Sequence, residues 1–222
     1  MTITASKKLF TAAAALTIAG WVAAAGPTAS AAAPAATPAC GSSCISLYNL
    51  DFSTSDVLAV IGASGTSAHT GQFINLQSAS ASNQGEDWIV DDELPVSEFY
   101  YAGFLSAAIN THYGSDTAYE FQYAPDGVES GLCMGTPGPA NNGEIVSLQP
   151  CGESGDTLWI YDAADQYERM VPLINGTDTN FSYPTVLTAN TTGVKVTTGE
   201  LTGGDGVIED GQYWSSEYGV LP

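Results

Sequence analysis

Residues that could carry out chemistry are sparse in this chain of 222 residues. Its two histidines are His69 in TSAHTG and His112 in NTHYG; each reads as an ordinary loop or strand residue and not as a catalyst. Ser64 lies in GASGT (62–66), which lacks the G-x-S-x-G spacing that presents a serine on a nucleophile elbow. Carboxylates are so abundant, 24 in all, that a glycosidase pair could be drawn almost anywhere and none stands out. Asp91-Asp92-Glu93 and the run GGDGVIEDG (203–211) offer oxygen atoms to a Ca²⁺ ion, but neither follows the EF-hand spacing, and both read as solvated acidic turns. The four cysteines, at C-x(3)-C and C-x(17)-C, do not form the paired knuckles of a zinc site. These observations point away from an enzyme and imply no metal and no cofactor. Asn175, Asn180 and Asn190 open N-x-S/T sequons, which matter only in a host that glycosylates them.

Charge narrows the partners. Lys7 and Lys8 precede an apolar, alanine-rich stretch (9–25) and the small-residue site Ala29-Ser30-Ala31. That order is the pattern of a secretory signal peptide spanning residues 1–31, followed by a Pro/Ala linker at 32–39 and a single domain at 40–222. Gly20, the threonines and the many alanines make a poor membrane anchor, and TPAC lies too far beyond the apolar stretch for a lipoprotein signal. Removal of residues 1–31 leaves Arg169 and Lys195 as the basic side chains against 24 acidic ones, a net charge of −22. Such a chain cannot neutralise phosphates, which excludes nucleic acid as a partner, and it is repelled by anionic membrane surfaces. The expected setting is extracellular, with a monomer kept soluble by self-repulsion.

The elements expected in this domain are strands. Short apolar runs rich in Val, Ile, Leu, Tyr and Trp are separated by Gly, Ser, Asn, Thr and Asp, and no segment holds a helical period over three turns. FYYAGFLSAAINTHY (99–113) contains helix-forming alanines, yet its aromatic, Gly and Asn content favours a hairpin. The reading is an all-β sandwich or barrel.

Internal repetition refines it. GQFINLQSASASNQGEDWIVD (71–91) aligns with GEIVSLQPCGESGDTLWIYD (143–162), placing Trp88 on Trp159, and a looser third copy, 194–221, brings in Trp214. Extending each copy upstream adds SLYNL and VLAVIG, YEFQYAP and GLCMG, and MVPLI and TVLTA. The result is three pseudo-repeats of four strands, with residues 92–117 as an insertion between the first and second.

The C-x(17)-C spacing followed by a turn and Trp159 resembles one lobe of a ricin-type β-trefoil lectin, in which a Q-x-W motif closes each repeat. Gln212-Tyr213-Trp214 matches that motif in full, whereas Glu86-Asp87-Trp88 and Thr157-Leu158-Trp159 keep the tryptophan alone. The chain is also similar to a group of uncharacterised secreted bacterial proteins, through GLCMG, LQPCG and PLINGTDTNFSYP. The resemblance implies a β-trefoil with Trp88, Trp159 and Trp214 in its core, and a disulfide between Cys133 and Cys151 on neighbouring strands. Of the three possible pairings it leaves Cys40 with Cys44 as the second bond. It also implies a sugar shelf made of an Asp, a stacking aromatic and an Asn in each lobe. At those places the second lobe has Gly135, Gln149 and Asp156. The first has no acid in VLAVIG, with Gln77 and Gly85 at the other two positions. The third offers Asn190 and Gln212, with Gly211 in the Asn place. Asp156, Asn190 and Gln212 are therefore the weak candidates for ligand contact, and Gln212 has a structural alternative, bonding backbone inside its own hairpin. The function these readings imply is a secreted, non-enzymatic binding protein. Its ligand would be a carbohydrate or envelope glycan held at a non-standard site, such as the aromatics of FYY (99–101). An extracellular protein partner, as for a hydrolase inhibitor, is the alternative, and an enzyme is third.

Overall fold

The computed structural model describes residues 40, 44–49, 56–60, 67–80, 82–162, 164, 170–202 and 210–216. The segments read as signal peptide and linker, Ser64 and most of 203–211 lie outside the described residues.

Strand formation follows the repeats. The first lobe holds β1 (Leu47–Asn49), β2 (Asp56–Val60), β3 (Ile74–Ser78) and β4 (Trp88–Pro95). The second holds β5 (Thr117–Tyr123), β6 (Leu132–Gly135), β7 (Ser147–Pro150) and β8 (Leu158–Tyr161). The third holds β9 (Leu173–Asn175), β10 (Thr185–Thr188), β11 (Thr197–Glu200) and β12 (Trp214–Ser216). Antiparallel ladders join β4 to β5, β5 to β8, β8 to β9 and β12 to β1. Single bridges, Ile45 to Trp88 and Val171 to Trp214, close the remaining seams. The first and fourth strands of the three lobes thus form a six-stranded barrel with no free edge. The second and third strands of each lobe pair as a hairpin. Bridges from Phe73 to Ser147, Ile145 to Thr197 and Asn75 to Lys195 link these hairpins into a triplet over one end. The molecule is a β-trefoil.

Pseudo-threefold symmetry extends to single atoms. Gly71, Gly143 and Gly193 take φ of 81°, 83° and 79°, a left-handed conformation that suits glycine. Their N–H groups donate to the carbonyls of Leu148, Thr198 and Leu76, each in the next hairpin. The three tryptophans are fully buried. Each indole N–H donates to a carbonyl in the second strand of its own lobe: Trp88 to Leu58 at 3.1 Å, Trp159 to Met134 at 2.9 Å and Trp214 to Leu187 at 2.9 Å. Burial satisfies both the apolar rings and their polar N–H groups, which explains why a tryptophan opens the fourth strand of every lobe.

One expectation is overturned. Residues 99–113 do not form a hairpin; the insertion is a pair of short helices, α1 (Val96–Ala102) and α2 (Ala107–Tyr113), carried on the extended β4–β5 ladder. Gly103 ends α1 at φ 93°, its N–H directed to the Phe99 and Tyr100 carbonyls, and the Ser106 hydroxyl accepts from Ile109 N–H to start α2. Each helix is two turns long, so neither leaves a periodic signal over three turns.

The core has two main parts. One fills the barrel and cap around Trp88, Trp159 and Trp214. The other packs Val96, Phe99, Leu105 and Ile109 of the insertion against Leu158, Ile160 and Ile174 on the outer wall of the barrel and against Val186 of β10. The insertion therefore covers an apolar wall that would otherwise face water. Strand β8, LWIY, is buried on both faces, which accounts for its unbroken apolar run.

Candidate functional site

The lectin-type shelf can be tested position by position, because the indole bonds fix the register of the lobes. Leu58, Met134 and Leu187 are equivalent, so Ala59, Gly135 and Thr188 share the position of the shelf's acid. Gly135 has no room for a side chain: a Cβ there would lie 2.7 Å from the Asp156 carbonyl oxygen and 2.9 Å from Thr157 Cγ2. An aspartate at this place would have to displace backbone. Thr188 offers a hydroxyl that accepts from Gln212 Nε2 at 3.3 Å. Asn190 lies two residues further on, exposed, and its amide donates to the Lys195 carbonyl and the Thr197 hydroxyl, both at 3.1 Å. Gln212 is buried; it accepts from Thr202 N–H at 3.2 Å and donates to the Glu200 carbonyl at 2.8 Å. Asp156, half-buried in the second lobe, accepts from the Ser154 hydroxyl. The bonds of Asp156, Asn190 and Gln212 run to separate partners in two lobes and do not bring the three together.

Gln212 has counterparts that the motif does not reveal. In every lobe a side-chain oxygen accepts the N–H groups of the turn between the third and fourth strands. In the third lobe that oxygen is Gln212 Oε1. In the first it is Glu86, which accepts from Ser80 N–H at 3.1 and 2.9 Å and from Asn83 Nδ2 at 2.8 Å. In the second the motif position holds Thr157, too short to reach. Glu120 of β5 takes over, accepting from Gly152 N–H at 3.3 Å, from Glu153 N–H at 3.2 Å, and from the Thr157 hydroxyl. Burial raises the Glu120 carboxyl above the ordinary carboxylate range, against the downward pull of Thr157 and the two amides.

Cys133 and Cys151 form a disulfide with Cα atoms 5.0 Å apart, and Cys40 and Cys44 form another with Cα atoms 5.8 Å apart. Asp91 and Glu120 lie beside the first disulfide and Asp87 beside the second. The cysteine sulfurs in both groups are bonded to each other, so neither group provides thiolates for a metal. His69 is exposed in the turn before β3, with Nδ1 3.5 Å from the Ser67 carbonyl oxygen. His112 lies on α2 with its ring stacked on Phe181, centroids 3.9 Å apart. The two histidines belong to different elements and share no partner.

The feature that best fits ligand contact is the outer surface of the insertion. Phe99 of the FYY run is buried and anchors α1, whereas Tyr101 is 82% exposed and Phe104 38% exposed. Tyr100 packs beside Tyr101 with ring centroids 5.2 Å apart. The His112–Phe181 stack joins α2 to the third-lobe loop that also presents Tyr183, 50% exposed. Two glycines seat this surface. A Cβ on Gly176 would lie 2.8 Å from both the Gly155 carbonyl oxygen and Leu105 Cδ2, and one on Gly155 would lie 3.4 Å from the Phe104 carbonyl oxygen.

No family model matches the chain, and no curated protein matches it. Among solved structures it is similar to a designed 3-fold symmetric protein, ThreeFoil, with a TM-score of 0.51 and 16% identity over 78% of this chain and 97% of that one. It is also similar to a mosquitocidal holotoxin, with a TM-score of 0.50 and 11% identity over 78% of this chain. The matched part is 17% of the toxin chain. These likenesses show the fold alone. Both are consistent with a trefoil. The two disulfides are consistent with an extracellular protein. Among the described residues no helix is long and apolar enough to cross a membrane.

Proposed function

We propose that this chain is a secreted, non-enzymatic binding module of ricin-lectin-like type whose ligand face is the α1–α2 insertion, and that its ligand is an extracellular or envelope glycan. The observation that carries this reading is the set of exposed aromatics on that insertion, Tyr101 above all, beside a trefoil whose own shelf position at Gly135 admits no acid. Aromatic planes fit the apolar C–H faces of pyranose rings, and the buried packing of Phe99, Leu105 and Ile109 holds the helices that present them. The strongly acidic chain disfavours polyanionic glycans, so the ligand class is a neutral polysaccharide. Retention on immobilised neutral polysaccharides, with Tyr101→Ala and Phe104→Ala combined, tests it. Two lost stacking contacts of about 0.5–1.5 kcal/mol each should weaken retention by roughly fivefold to a hundredfold. Unchanged retention of the double variant would remove the insertion from the site.

A second reading is an extracellular protein partner, as for a hydrolase inhibitor. It is favoured by the same Tyr101, which stands 82% exposed at the end of α1 as an anchor residue would. Capture of a secreted protein that Tyr101→Ala releases, with no polysaccharide retained, would select it.

A further inference from the structure

We propose that the ligand face continues from the insertion onto the third-lobe loop of residues 176–184, and that this joint platform binds a linear neutral polysaccharide lengthwise, several rings at a time. The inference rests on the glycan reading above and adds to it a second contact, Tyr183, and a form of ligand, a chain in place of a single sugar. Charge distribution carries it. The chain holds 24 acidic residues, yet residues 99–115 and 179–194 contain no Asp, Glu, Lys or Arg. The fold brings these two uncharged stretches side by side. Val96 and Ser97 N–H donate to the Asp116 and Gly114 carbonyls at 2.8 and 3.3 Å, so α2 ends beside the start of α1 and the turn at Phe104 and Leu105 lies at the far end of the pair. At that far end Gly176 abuts the insertion, where a Cβ would lie 2.8 Å from Leu105 Cδ2. At the near end the His112 ring stacks on Phe181, centroids 3.9 Å and planes 12° apart, and Tyr113 meets the same ring at 6.1 Å. The loop therefore follows the helix pair from one end to the other.

The loop is held in a shape that presents Tyr183. Asp178, its acidic residue, is buried and accepts from Thr185 N–H at 3.0 Å, so its charge fixes the loop and is withdrawn from the surface. Tyr183 N–H donates to the Asn180 carbonyl at 3.1 Å, and the ring stays half exposed ahead of the buried Pro184. A contact fixed in advance loses little freedom on binding. Exposed Ser106, Thr111, Thr179, Asn180 and Ser182 add hydroxyls and an amide along the two stretches. Aromatic planes with neutral hydrogen-bonding groups, and no carboxylate to desolvate, suit a neutral glycan and match the charge-poor centre of binding surfaces generally. Tyr101 and Phe104 belong to one end of the helix pair and the Phe181 stack to the other. Helices of seven residues are about 10 Å long, so a single ring cannot reach both ends and a chain laid along the pair can.

Calorimetry on the full chain with xylan, cellulose, chitin and β-1,3-glucan oligosaccharides, each from disaccharide to hexasaccharide, tests the platform. For the polymer that retains the chain, affinity should rise at least about fivefold from disaccharide to hexasaccharide as the second aromatic contact is gained. Tyr183→Ala should weaken hexasaccharide binding roughly twofold to tenfold and leave disaccharide binding and the melting temperature unchanged, whereas Tyr183→Phe should keep the hexasaccharide affinity. Equal affinity for disaccharide and hexasaccharide would overturn the inference while leaving Tyr101-dependent binding in place. So would a hexasaccharide affinity that Tyr183→Ala does not change. Failure of all four polymers to retain the chain would remove the glycan reading, and the platform with it.

Discussion

The second and third lobes close the same turn with different chemistry. Gln212 stands in sequence two residues before its tryptophan and bonds Thr202 N–H with a neutral amide. Glu120, 37 residues before Thr157 in the chain, bonds Gly152 and Glu153 N–H with a carboxyl that burial disfavours ionising. The trefoil repeats an acceptor inside that turn in all three lobes, giving its N–H groups a partner. It does not specify which residue supplies the acceptor, so a motif can be lost while its structural task is kept. The first lobe, with Glu86 in the motif position, lies between the two cases.

The largest test of this equivalence is at the tryptophans. Replacing Trp88, Trp159 or Trp214 by alanine should cost about 3–5 kcal/mol in each case, since each removes a fully buried ring and leaves a carbonyl in the second strand without its indole donor. Denaturant titration of the three variants checks this. One variant with near-wild-type stability would show that its lobe is not equivalent to the others.

A smaller effect separates the insertion from the repeats. Gly176→Ala places a methyl group 2.8 Å from the Gly155 carbonyl oxygen and Leu105 Cδ2, and overpacking of this kind typically costs about 1–3 kcal/mol. Gly138→Ala meets nothing within 4 Å and should stay within about 0.5 kcal/mol of wild type. Equal melting temperatures for the two variants would show that the insertion does not rest on the third lobe.

The carboxyl clamps predict a third effect, in pH. Glu86, Asp91, Asp116, Glu120 and Glu153 are all raised above their ordinary values, with burial the leading cause in each. Between their unfolded and folded values the native chain binds more protons than the unfolded one. Their stabilising contribution is therefore fully present below the ordinary carboxylate range and is lost as pH rises through the raised values. The melting temperature should be higher near pH 5 than near pH 7.5, by about 2–4 °C for each kcal/mol involved. Glu120→Gln, which copies the third lobe's chemistry, should reduce that slope, whereas an unchanged slope would place the effect elsewhere.

Much of this architecture was legible because repetition is a property of sequence. Aligning Trp88 with Trp159 sets the order of twelve strands, and Gly71 and Gly143 align with it at the same left-handed turn. The helices were not legible, because Gly103 divides the segment into two pieces of two turns each. The apolar run LWIY carried a signal that something covers both faces of β8, though not what. The role of Glu120 was hidden for a different reason: its partners lie 32 to 37 residues away, and only the pairing of β5 with β8 brings them together. At the candidate face, exposure divided the FYY run. Phe99 became core and Tyr101 surface, a distinction set by the helical turn that the sequence reading did not assign.

The smallest expected effect is none at all. A ricin-type shelf needs a charged acceptor for sugar hydroxyls and an aromatic plane beneath the ring. The second lobe has Gly135, with no space for an acid, and Gln149 in the aromatic place. The equivalent acid positions in the first and third lobes hold Ala59 and Thr188, and Thr188 already accepts from Gln212. Asn190 is occupied in bracing its own hairpin through Lys195 and Thr197. Losing a charged acceptor costs on the order of 1.5–3 kcal/mol, and each 1.4 kcal/mol is about tenfold in affinity. Free galactose or lactose at millimolar concentration should therefore give no calorimetric signal, and a galactose matrix should retain nothing. Saturable retention that galactose competes away and Asn190→Ala abolishes would show that the third lobe, unlike the second, holds a working sugar site despite its threonine.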